Sequence, residues 1–392
     1  MEKYLKNSKL AAKDTVSHFL FFVALVLLLF VDYISATSIP HLYTGRVFQA
    51  TIILLGIKIL MTQYTWREWL VLGVGGVVAV ASYFSTGSYF VCLLIMLIMA
   101  SKGISLRPIM KAYFWVVSCM TFLVMVLAAS GICGEMYIEK DFRDTGIEIR
   151  YCMGYTHPNT FHIILLQLIL VGIWLLWDKM KWYYFILLFG LNIIAFYFTL
   201  SRTNVILGSF MLVALMVLKC YPQLARKTGI YIFGGVVYLG CIVLSILAAL
   251  GGHTLPVLDK INQLWTNRMF WAYTERMESK LTLFSGADYH IRCDMGFVSN
   301  LYNYGVVIAI LIILLMTLYL LSVKRNNDYL GLVGFIVCII LFTGETFVSG
   351  EYVTRNLLYV FMLGWGTYES GKLKKLGCGK EQNYVSAEKS DS

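Results

Sequence analysis

The chain has 392 residues, of which 59% are hydrophobic and only 14% are charged, and its mean hydropathy is +0.73. Soluble globular domains carry roughly a quarter charged residues, so this composition excludes a soluble domain and predicts an integral membrane protein. The net charge of +10 does not indicate a nucleic-acid partner, because the basic residues separate hydrophobic runs instead of forming one patch.

The hydrophobic runs are continuous rather than alternating, which predicts membrane-spanning helices and an all-α polytopic protein. We predict a single integral membrane domain over residues 1–392 with about twelve spans. In chain order they are 18–34, 47–61, 68–83, 85–100, 113–131, 161–177, 182–199, 205–219, 229–250, 301–323, 329–346 and 352–368.

Lysine and arginine positions predict the orientation, because short cytoplasmic segments are enriched in both. With the N-terminus inside, the cytoplasmic segments hold 20 of these residues and the outer segments hold 11. Both termini, including a tail over 369–392, are then cytoplasmic, and two long loops, 132–160 and 251–300, face outward. The inner loops are too short for a nucleotide-binding domain and contain no GxxxxGK[ST] motif. We therefore expect the activity on the outer side, without ATP.

The outer basic residues differ in kind from the inner ones. Inside, lysine outnumbers arginine by 16 to 4, whereas outside arginine outnumbers lysine by 8 to 3. Lysine near a membrane end is mostly a hydrated charge that reaches the interface, while arginine presents a rigid fork that binds phosphate or carboxylate. The outer surface therefore indicates an anionic ligand at the outer leaflet. The alternative is that these arginines pair with loop carboxylates.

The segment IRYCMGYTHPNTF, at 149–161, contains a proline directly before a hydrophobic run. Pro158 suits the first turn of a helix, where its missing N–H costs nothing. His157 and Asn159 then lie at the outer mouth of the sixth span. His157 is a candidate base, hydrogen-bond donor or pH-sensitive group; the alternative is a histidine that only caps the helix.

The segment FTLSRTN, at 198–204, places Arg202 in a tight outer turn between two apolar runs. A charge that slides into hydrocarbon costs a few kcal/mol, so Arg202 is held near the membrane plane. The head group of a lipid-linked substrate would lie at that depth. The alternative is a simple contact with phospholipid.

The loop 251–300 is the longest polar segment of the chain. Apolar residues recur at roughly helical spacing over 258–272, which predicts one amphipathic helix on the outer surface. Arg268 and Arg276 project from this helix. His290, Arg292 and Asp294 are the ionisable residues nearest the start of the tenth span. The aromatic residues of the loop suit sugar stacking, although an interfacial aromatic belt explains them equally well.

Glu345, Glu351 and Arg355 mark the outer turn into the last span. Ionisable groups at that depth are functional candidates, with each other as expected partners, and a structural Glu–Arg pair is the alternative. The nine cysteines are scattered and show no metal-ligand spacing, so neither a metal site nor a disulfide framework is predicted. Cys133 and Cys152 share one polar loop, and a pairing between them stays open.

Taken together, these motifs resemble the Wzy-type oligosaccharide repeat-unit polymerases and, more distantly, the O-antigen ligase family. The resemblance covers roughly 150–305, with the motifs in the expected order and on the expected outer face. The features that carry it are GYTHPN (154–159), the LSRT turn (200–203), TNR (266–268), LFSG (283–286) and the entry from Asp294 to Gly305 into the tenth span.

The resemblance implies a multi-pass protein of the bacterial cytoplasmic, or inner, membrane with its active site on the extracytoplasmic face. There it would join oligosaccharide repeat units linked to undecaprenyl pyrophosphate, for capsule, O-antigen or exopolysaccharide. A hydroxyl of a fresh repeat attacks the anomeric carbon of the growing chain, and lipid pyrophosphate leaves. The implied partners are the lipid-linked substrates, membrane lipid, a flippase and a chain-length regulator; no cofactor is implied.

Within this framework each candidate residue takes a role. Cations stabilise a leaving group that gains charge, so the outer arginines are assigned to the pyrophosphate. The assigned residues are Arg202 and Arg268, assisted by Arg150 or Arg276. Asp294 or His157 would accept or orient the proton of the attacking hydroxyl. The remaining candidates are Asn159, His290, Arg292, Glu345 and Arg355.

Two alternatives remain. A flippase or other secondary transporter has a similar length and span number, but transporters built from two halves show internal repeats and ionisable groups at mid-membrane. Here the loop 251–300 has no counterpart of similar length in the first half, and the charges gather at the outer rim. An O-antigen ligase-like glycosyltransferase would use the same donor and differ only in its acceptor.

Overall fold

The computed structural model describes residues 2–39, 44–140, 146–265, 267–277, 279–285, 291, 293–348 and 352–364. Within these ranges the chain forms α-helices, a few three-residue 3-10 helices and one two-stranded hairpin. The elements are α1 (Glu2–Ile34), α2 (Thr44–Met61), α3 (Trp66–Thr86), α4 (Phe90–Ala100), α5 (Leu106–Ala129), β1 (Tyr137–Lys140), β2 (Glu148–Tyr151), α6 (Pro158–Leu176), α7 (Trp182–Thr199), α8 (Arg202–Cys220), α9 (Thr228–Ala249), α10 (Pro256–Leu264), α11 (Arg268–Met277), α12 (Gly296–Arg325), α13 (Tyr329–Gly344) and α14 (Leu357–Met362).

Nine of the described helices are long and apolar enough to cross a membrane, namely α1, α2, α3, α5, α6, α7, α8, α9 and α12. Helices α4 and α13 are apolar but shorter. The structure therefore confirms an all-α polytopic membrane protein, whereas the count of twelve spans stays a prediction. The predicted span 352–368 contains the six-residue α14, and its last four residues lie outside the described part of the chain.

Helix α1 packs one face against α2 and α5, where Phe21, Leu25 and Leu28 are fully buried. Helix α3 lies at the periphery, where Val77 is 71% and Phe84 is 82% exposed. Such an apolar outer surface suits a bundle surrounded by hydrocarbon rather than water. The two helices show which surfaces are protein core and which face lipid.

A β-hairpin precedes α6 and was not predicted from the sequence. Strands β1 and β2 are antiparallel, with Tyr137 opposite Tyr151. An isolated bridge between Thr37 and Tyr155 ties the exit of the hairpin to the end of α1. Gly154 has φ +87°, and a Cβ there would collide with Val124 of α5. The hairpin and this glycine therefore fix the direction in which the chain enters α6.

The predicted single amphipathic helix over 258–272 is wrong, because the structure divides it into α10 and α11. Asn262 Oδ1 accepts the backbone N–H groups of Met269 at 3.0 Å and Phe270 at 3.2 Å. A side chain that satisfies these donors competes with a continuous helix. Asn267 at the break has φ +58°, a conformation that asparagine tolerates better than most residues. The break orients Arg268 at the start of α11.

Helix α12 is also interrupted, at Gly305, where φ is 84° and ψ is 172°. The N–H of Val306 donates to the Thr282 carbonyl at 2.9 Å, and that of Val307 donates to the Leu283 carbonyl at 3.2 Å. A Cβ at Gly305 would collide with the Leu283 carbonyl. The loop before α12 therefore satisfies the two donors that the break exposes. Elsewhere, Cys133 and Cys152 are free thiols, so the pairing that the sequence left open does not form.

Candidate functional site

Arg268 is the centre of a charged cluster at one end of the bundle. It is 7% exposed, and the cap that Asn262 provides holds the first turn of α11. Arg268 Nη2 donates to Glu345 Oε1 at 3.0 Å, and its Nε lies 3.5 Å from Asp294 Oδ2. Its Nη1 is buried and has no hydrogen-bond partner in the described part of the chain. The guanidinium is therefore fixed by two carboxylates and keeps unused donors.

Glu345 connects this cluster to α6. It is the residue after α13 and is 5% exposed. Asn159 Nδ2, in the first turn of α6, lies 3.3 and 3.5 Å from the two carboxylate oxygens, at the long end of hydrogen bonding. Burial raises the pKa of the Glu345 carboxyl, Arg268 opposes the shift, and Asp294 adds to it. The expected partner of Glu345 was Arg355; the structure pairs Glu345 with Arg268 instead.

Asp294 differs from Glu345 in its exposure. Its side chain is 43% exposed, whereas that of Glu345 is 6% exposed. Asp294 stands two residues before the first residue of α12, so the start of that helix positions it. A carboxylate that is held near a cation and still open to solvent can accept a proton from a bound hydroxyl. In this pair of carboxylates, Asp294 is the accessible one.

His157 is the N-cap of α6, and its Nδ1 accepts the backbone N–H of Asn159 at 3.2 Å. A ring nitrogen that accepts cannot carry a proton, so in the neutral ring the proton is on Nε2. The surrounding protein removes hydration and lowers the pKa of His157; Asp294 opposes this, and nearby cations, Arg150 and Arg268 among them, add to it. In this tautomer His157 is a hydrogen-bond donor through Nε2. Of the two predicted proton acceptors, the geometry therefore favours Asp294.

Arg150 comes to the cluster from the hairpin. It lies in β2, is 5% exposed, and its Nε donates to Glu148 Oε2 at 2.8 Å. Its charge is close enough to lower the pKa of His157. Arg150 thus contributes to the field around His157 while Glu148 holds its guanidinium.

Arg202 and Arg276 are the other two arginines that were assigned to the pyrophosphate. Arg202 is the first residue of α8 and is exposed. The first turn of α8 is anchored to α6, because Asn204 Nδ2 donates to the Asn159 carbonyl at 3.3 Å. Arg276 lies two helical turns beyond Arg268, and its Nε donates to the Tyr302 hydroxyl at 3.2 Å. Neither is ion-paired with the cluster within the described ranges.

Arg355 belongs to a different network. Its Nε donates to the Asp32 carbonyl at 2.6 Å, and its Nη2 donates to Ser35 Oγ at 2.9 Å. The guanidinium carbon lies 3.7 Å from the centre of the Tyr352 ring. Thr354 donates to the Asp32 carboxylate through both its N–H and its hydroxyl, at 2.8 and 2.6 Å. This network joins the segment before α14 to the end of α1.

The predicted residues His290 and Arg292 lie outside the described residues. Sequence reasoning missed Asp32, although a lone carboxylate inside an apolar run is itself an indication of a special role. It also missed Asn262, whose capping role depends on the break at Asn267. Within the described ranges, no group of three or more histidine, cysteine, aspartate and glutamate residues could hold a metal ion.

No protein-family model matches the chain, and neither a curated protein nor a solved structure matches it significantly. The chemistry of the cluster and the sequence motifs therefore carry the functional argument.

Proposed function

We propose that the protein is a membrane glycosyltransferase that polymerises oligosaccharide repeat units linked to undecaprenyl pyrophosphate. The observation that supports this best is the contact of Arg268 with the buried Glu345 and the accessible Asp294 at one end of the bundle. Arg268 would stabilise the leaving pyrophosphate as a cation. Glu345 would hold this cation in place, and Asp294 would serve as the base. The resemblance to Wzy-type polymerases supplies the substrate class and the extracytoplasmic face of the bacterial cytoplasmic membrane.

The reaction transfers the growing chain to a new repeat unit. The oxygen of an acceptor hydroxyl forms a bond to the anomeric carbon of the donor, and the bond from that carbon to the pyrophosphate oxygen breaks. Asp294 accepts the hydroxyl proton as general base. The bonding electrons leave with the lipid pyrophosphate, whose increase in charge is stabilised by Arg268.

Glu345 acts on this reaction through Arg268. A flexible arginine would have to be ordered when the pyrophosphate binds, whereas Glu345 holds the guanidinium at 3.0 Å before any ligand arrives. Preorganised charge stabilises a transition state without further reorganisation. The unpartnered Nη1 is the atom that we assign to a phosphate oxygen.

His157 and the outlying arginines have secondary roles. The Nε2–H of His157 would donate to an oxygen of the sugar or the pyrophosphate. Arg150 adds positive potential beside His157, while Arg202 and Arg276 attract the anionic head group from the surrounding surface.

A flippase is the second candidate, and two observations favour it. Broken helices and buried ionisable groups are typical of secondary transporters, and this chain has a break in α12 at Gly305 and a buried Asp32 near Arg355. Against a transport role, Arg355 is held by the Asp32 carbonyl and by ring contacts. An O-antigen ligase-like enzyme remains an alternative that differs in its acceptor.

A deletion strain distinguishes these functions. Surface polysaccharide is sized by gel, and the side of the membrane that exposes the lipid-linked repeat is determined with an impermeant sugar label. We expect the long ladder to disappear while a single repeat unit still reaches the outside. Repeats trapped on the cytoplasmic side would instead identify the flippase. A long ladder that still forms on the lipid carrier but is not transferred to the final acceptor would identify the ligase.

Complementation of that strain tests the site itself. Arg268→Lys keeps the charge but loses the planar fork, and we expect it to fail to restore the ladder. Arg67→Lys, at an exposed position of α3, is the matched control and should restore it fully. Equal ladders from the two variants, at equal protein levels, would remove Arg268 from the proposed site.

A further inference from the structure

A groove opens between α9 and α12 next to the charged cluster. Its volume is about 170 Å³, and its walls come from 242–249 of α9 and from 297–313 of α12. The walls are almost entirely apolar. An apolar cavity of about 150 Å³ in another protein stays dry and binds benzene, so this groove can hold a branched hydrocarbon segment of similar size. Ile246 in its wall is 53% exposed, which shows that the groove opens to the outside of the bundle.

The interruption of α12 shapes this groove. Wall residues lie on both sides of Gly305, at 297–301 and at 309–313. The loop carbonyls of Thr282 and Leu283 hold the break from the other side. The groove therefore follows a bend that the chain stabilises with its own hydrogen bonds.

One wall residue does not suit a purely apolar surface. Asn300 is 2% exposed, and both its Nδ2 and its Oδ1 are buried without a hydrogen-bond partner among the described residues. A buried amide without partners destabilises a fold. Asn300 lies about 6 Å along α12 from Gly296, at 1.5 Å per residue. An amide in this position points to a ligand that brings an oxygen to the end of the groove nearest the helix start.

Packing connects the groove to the charged cluster. Ala249 in its wall shares a packed group with Met269, the residue after Arg268. The Phe297 ring in the opposite wall meets the Phe342 ring edge-on, with centroids 4.9 Å apart, and Phe342 is three residues before Glu345. From the wall near Met269 the groove thus runs along α12 past Gly305, away from the start of that helix. A molecule with an anionic head at Arg268 would place its hydrocarbon here.

We propose that this groove binds the first isoprene units of the polyprenyl chain whose pyrophosphate is held at Arg268. Asn300 then donates to the oxygen that joins the phosphate to that chain. The assignment of a polyprenyl chain rests on the proposed function. The groove has room for one slender branched chain beside one amide, which favours a single-chain lipid over a two-chain phospholipid. Asn300 is accordingly a residue that selects the lipid, not one that reacts.

Photolabelling tests this proposal without requiring polymerisation. The purified protein in nanodiscs is exposed to polyprenyl phosphate that carries a diazirine in its first isoprene unit, and labelled peptides are mapped by mass spectrometry. We expect labels within 242–249 and 297–313. Ala309→Trp fills the groove and should lower labelling at least about tenfold. Ile310→Trp, one residue away and 60% exposed, is the matched control and should label as the wild type does.

Asn300→Leu tests the amide. The substitution removes two unsatisfied polar atoms, so the variant should fold at least as stably as the wild type. We expect the affinity for polyprenyl phosphate to be about tenfold weaker, because the variant loses one hydrogen bond to the ligand. Unchanged affinity would overturn the role of Asn300.

The remaining outcomes separate this proposal from the proposed function. Labels outside the groove, or equal labelling of Ala309→Trp and wild type, would overturn the groove even if the protein polymerises repeats. Equal competition by phosphatidylglycerol would overturn the polyprenyl assignment. Groove labelling by a protein that forms no polymer would support the groove and contradict the polymerase.

Discussion

Two buried arginines at the same end of the bundle are held in different ways. Arg355 donates to a main-chain carbonyl of Asp32 and to a hydroxyl, and it stacks on Tyr352. Arg268 is held by two carboxylates, one of which, Asp294, has a side chain that is 43% exposed. The Nη1 of Arg268 has no hydrogen-bond partner among the residues that the structure describes. The first arrangement joins two segments of chain. The second leaves donors and an accessible base available to a ligand.

The difference teaches how to assign a buried charge. Burial alone does not separate the two arginines, which are 9% and 7% exposed. They differ in two other respects: Arg268 has an unused hydrogen-bond donor, Nη1, among the described residues, and one of its partners, Asp294, is accessible to solvent. We therefore assign Arg355 to stability and Arg268 to substrate binding, and substitutions at the two positions should affect different measurements.

The largest expected effect is on folding, at Arg355. Arg355→Leu removes one member of a buried charged network, which costs about 3–5 kcal/mol. We expect a sharp fall in the yield of folded protein and in the melting temperature in detergent. The melting temperature of Arg355→Lys should lie between those of the wild type and Arg355→Leu, because lysine keeps the charge and loses the planar contact with Tyr352. A stable Arg355→Leu protein that forms a full ladder would contradict the structural role.

The next effect is on the reaction, at Asp294. Asp294→Asn keeps the size of the side chain and removes the proton acceptor, so the transfer rate should fall by about 10²–10⁴-fold. The melting temperature should change little, because the side chain is partly exposed. Glu275→Gln, on α11, is a control for the loss of one carboxylate from this region and should keep most of the activity.

Arg268→Lys should lower the transfer rate by about 10²-fold, since one preorganised donor to a developing charge has an effect of that size. The remaining ammonium still compensates Glu345, so the fold should persist. Single-turnover rates and melting temperatures of the same preparations would check both statements. A rate within a factor of two of the wild type would exclude Arg268 from the pyrophosphate site.

Protonation of His157 should make the stability of the protein depend on pH. Its folded pKa lies below the ordinary value of about 6.5, so the neutral ring and its bond to the Asn159 N–H persist at neutral pH. That stabilisation is lost as pH falls through the folded pKa. Asn at an N-cap accepts the same bond at every pH, so wild-type protein should lose stability relative to His157→Asn below about pH 6.5. Parallel melting curves from pH 5 to 8 would contradict the cap.

The smallest effect is expected at Arg202. An exposed arginine contributes about 0.2–1 kcal/mol to an ion pair, so Arg202→Ala should weaken substrate binding by no more than about fivefold. The loss should shrink as salt is raised, because exposed charges are screened. A loss of 10²-fold, or one independent of salt, would move Arg202 into the site beside Arg268.

The membrane class and most helices could be predicted, because a continuous apolar segment in lipid satisfies its backbone hydrogen bonds by forming a helix. The start of α6 was also predictable, since Pro158 and His157 indicate it locally. The break between α10 and α11 was not, because it depends on one amide, Asn262, that captures two N–H groups. Nor was the partner of Glu345, because residues 77 positions apart in the chain come together only through packing.

The most direct test of the account is transfer by the purified protein. Wild type, Asp294→Asn and Arg268→Lys are reconstituted in liposomes with a lipid-linked oligosaccharide repeat, and the products are sized by gel. We predict a ladder from wild type without added ATP, and single repeats only from the two variants. A ladder of equal length from either variant, or no ladder from folded wild type that binds the repeat, would contradict the assignment of Arg268 and Asp294 to polymerisation.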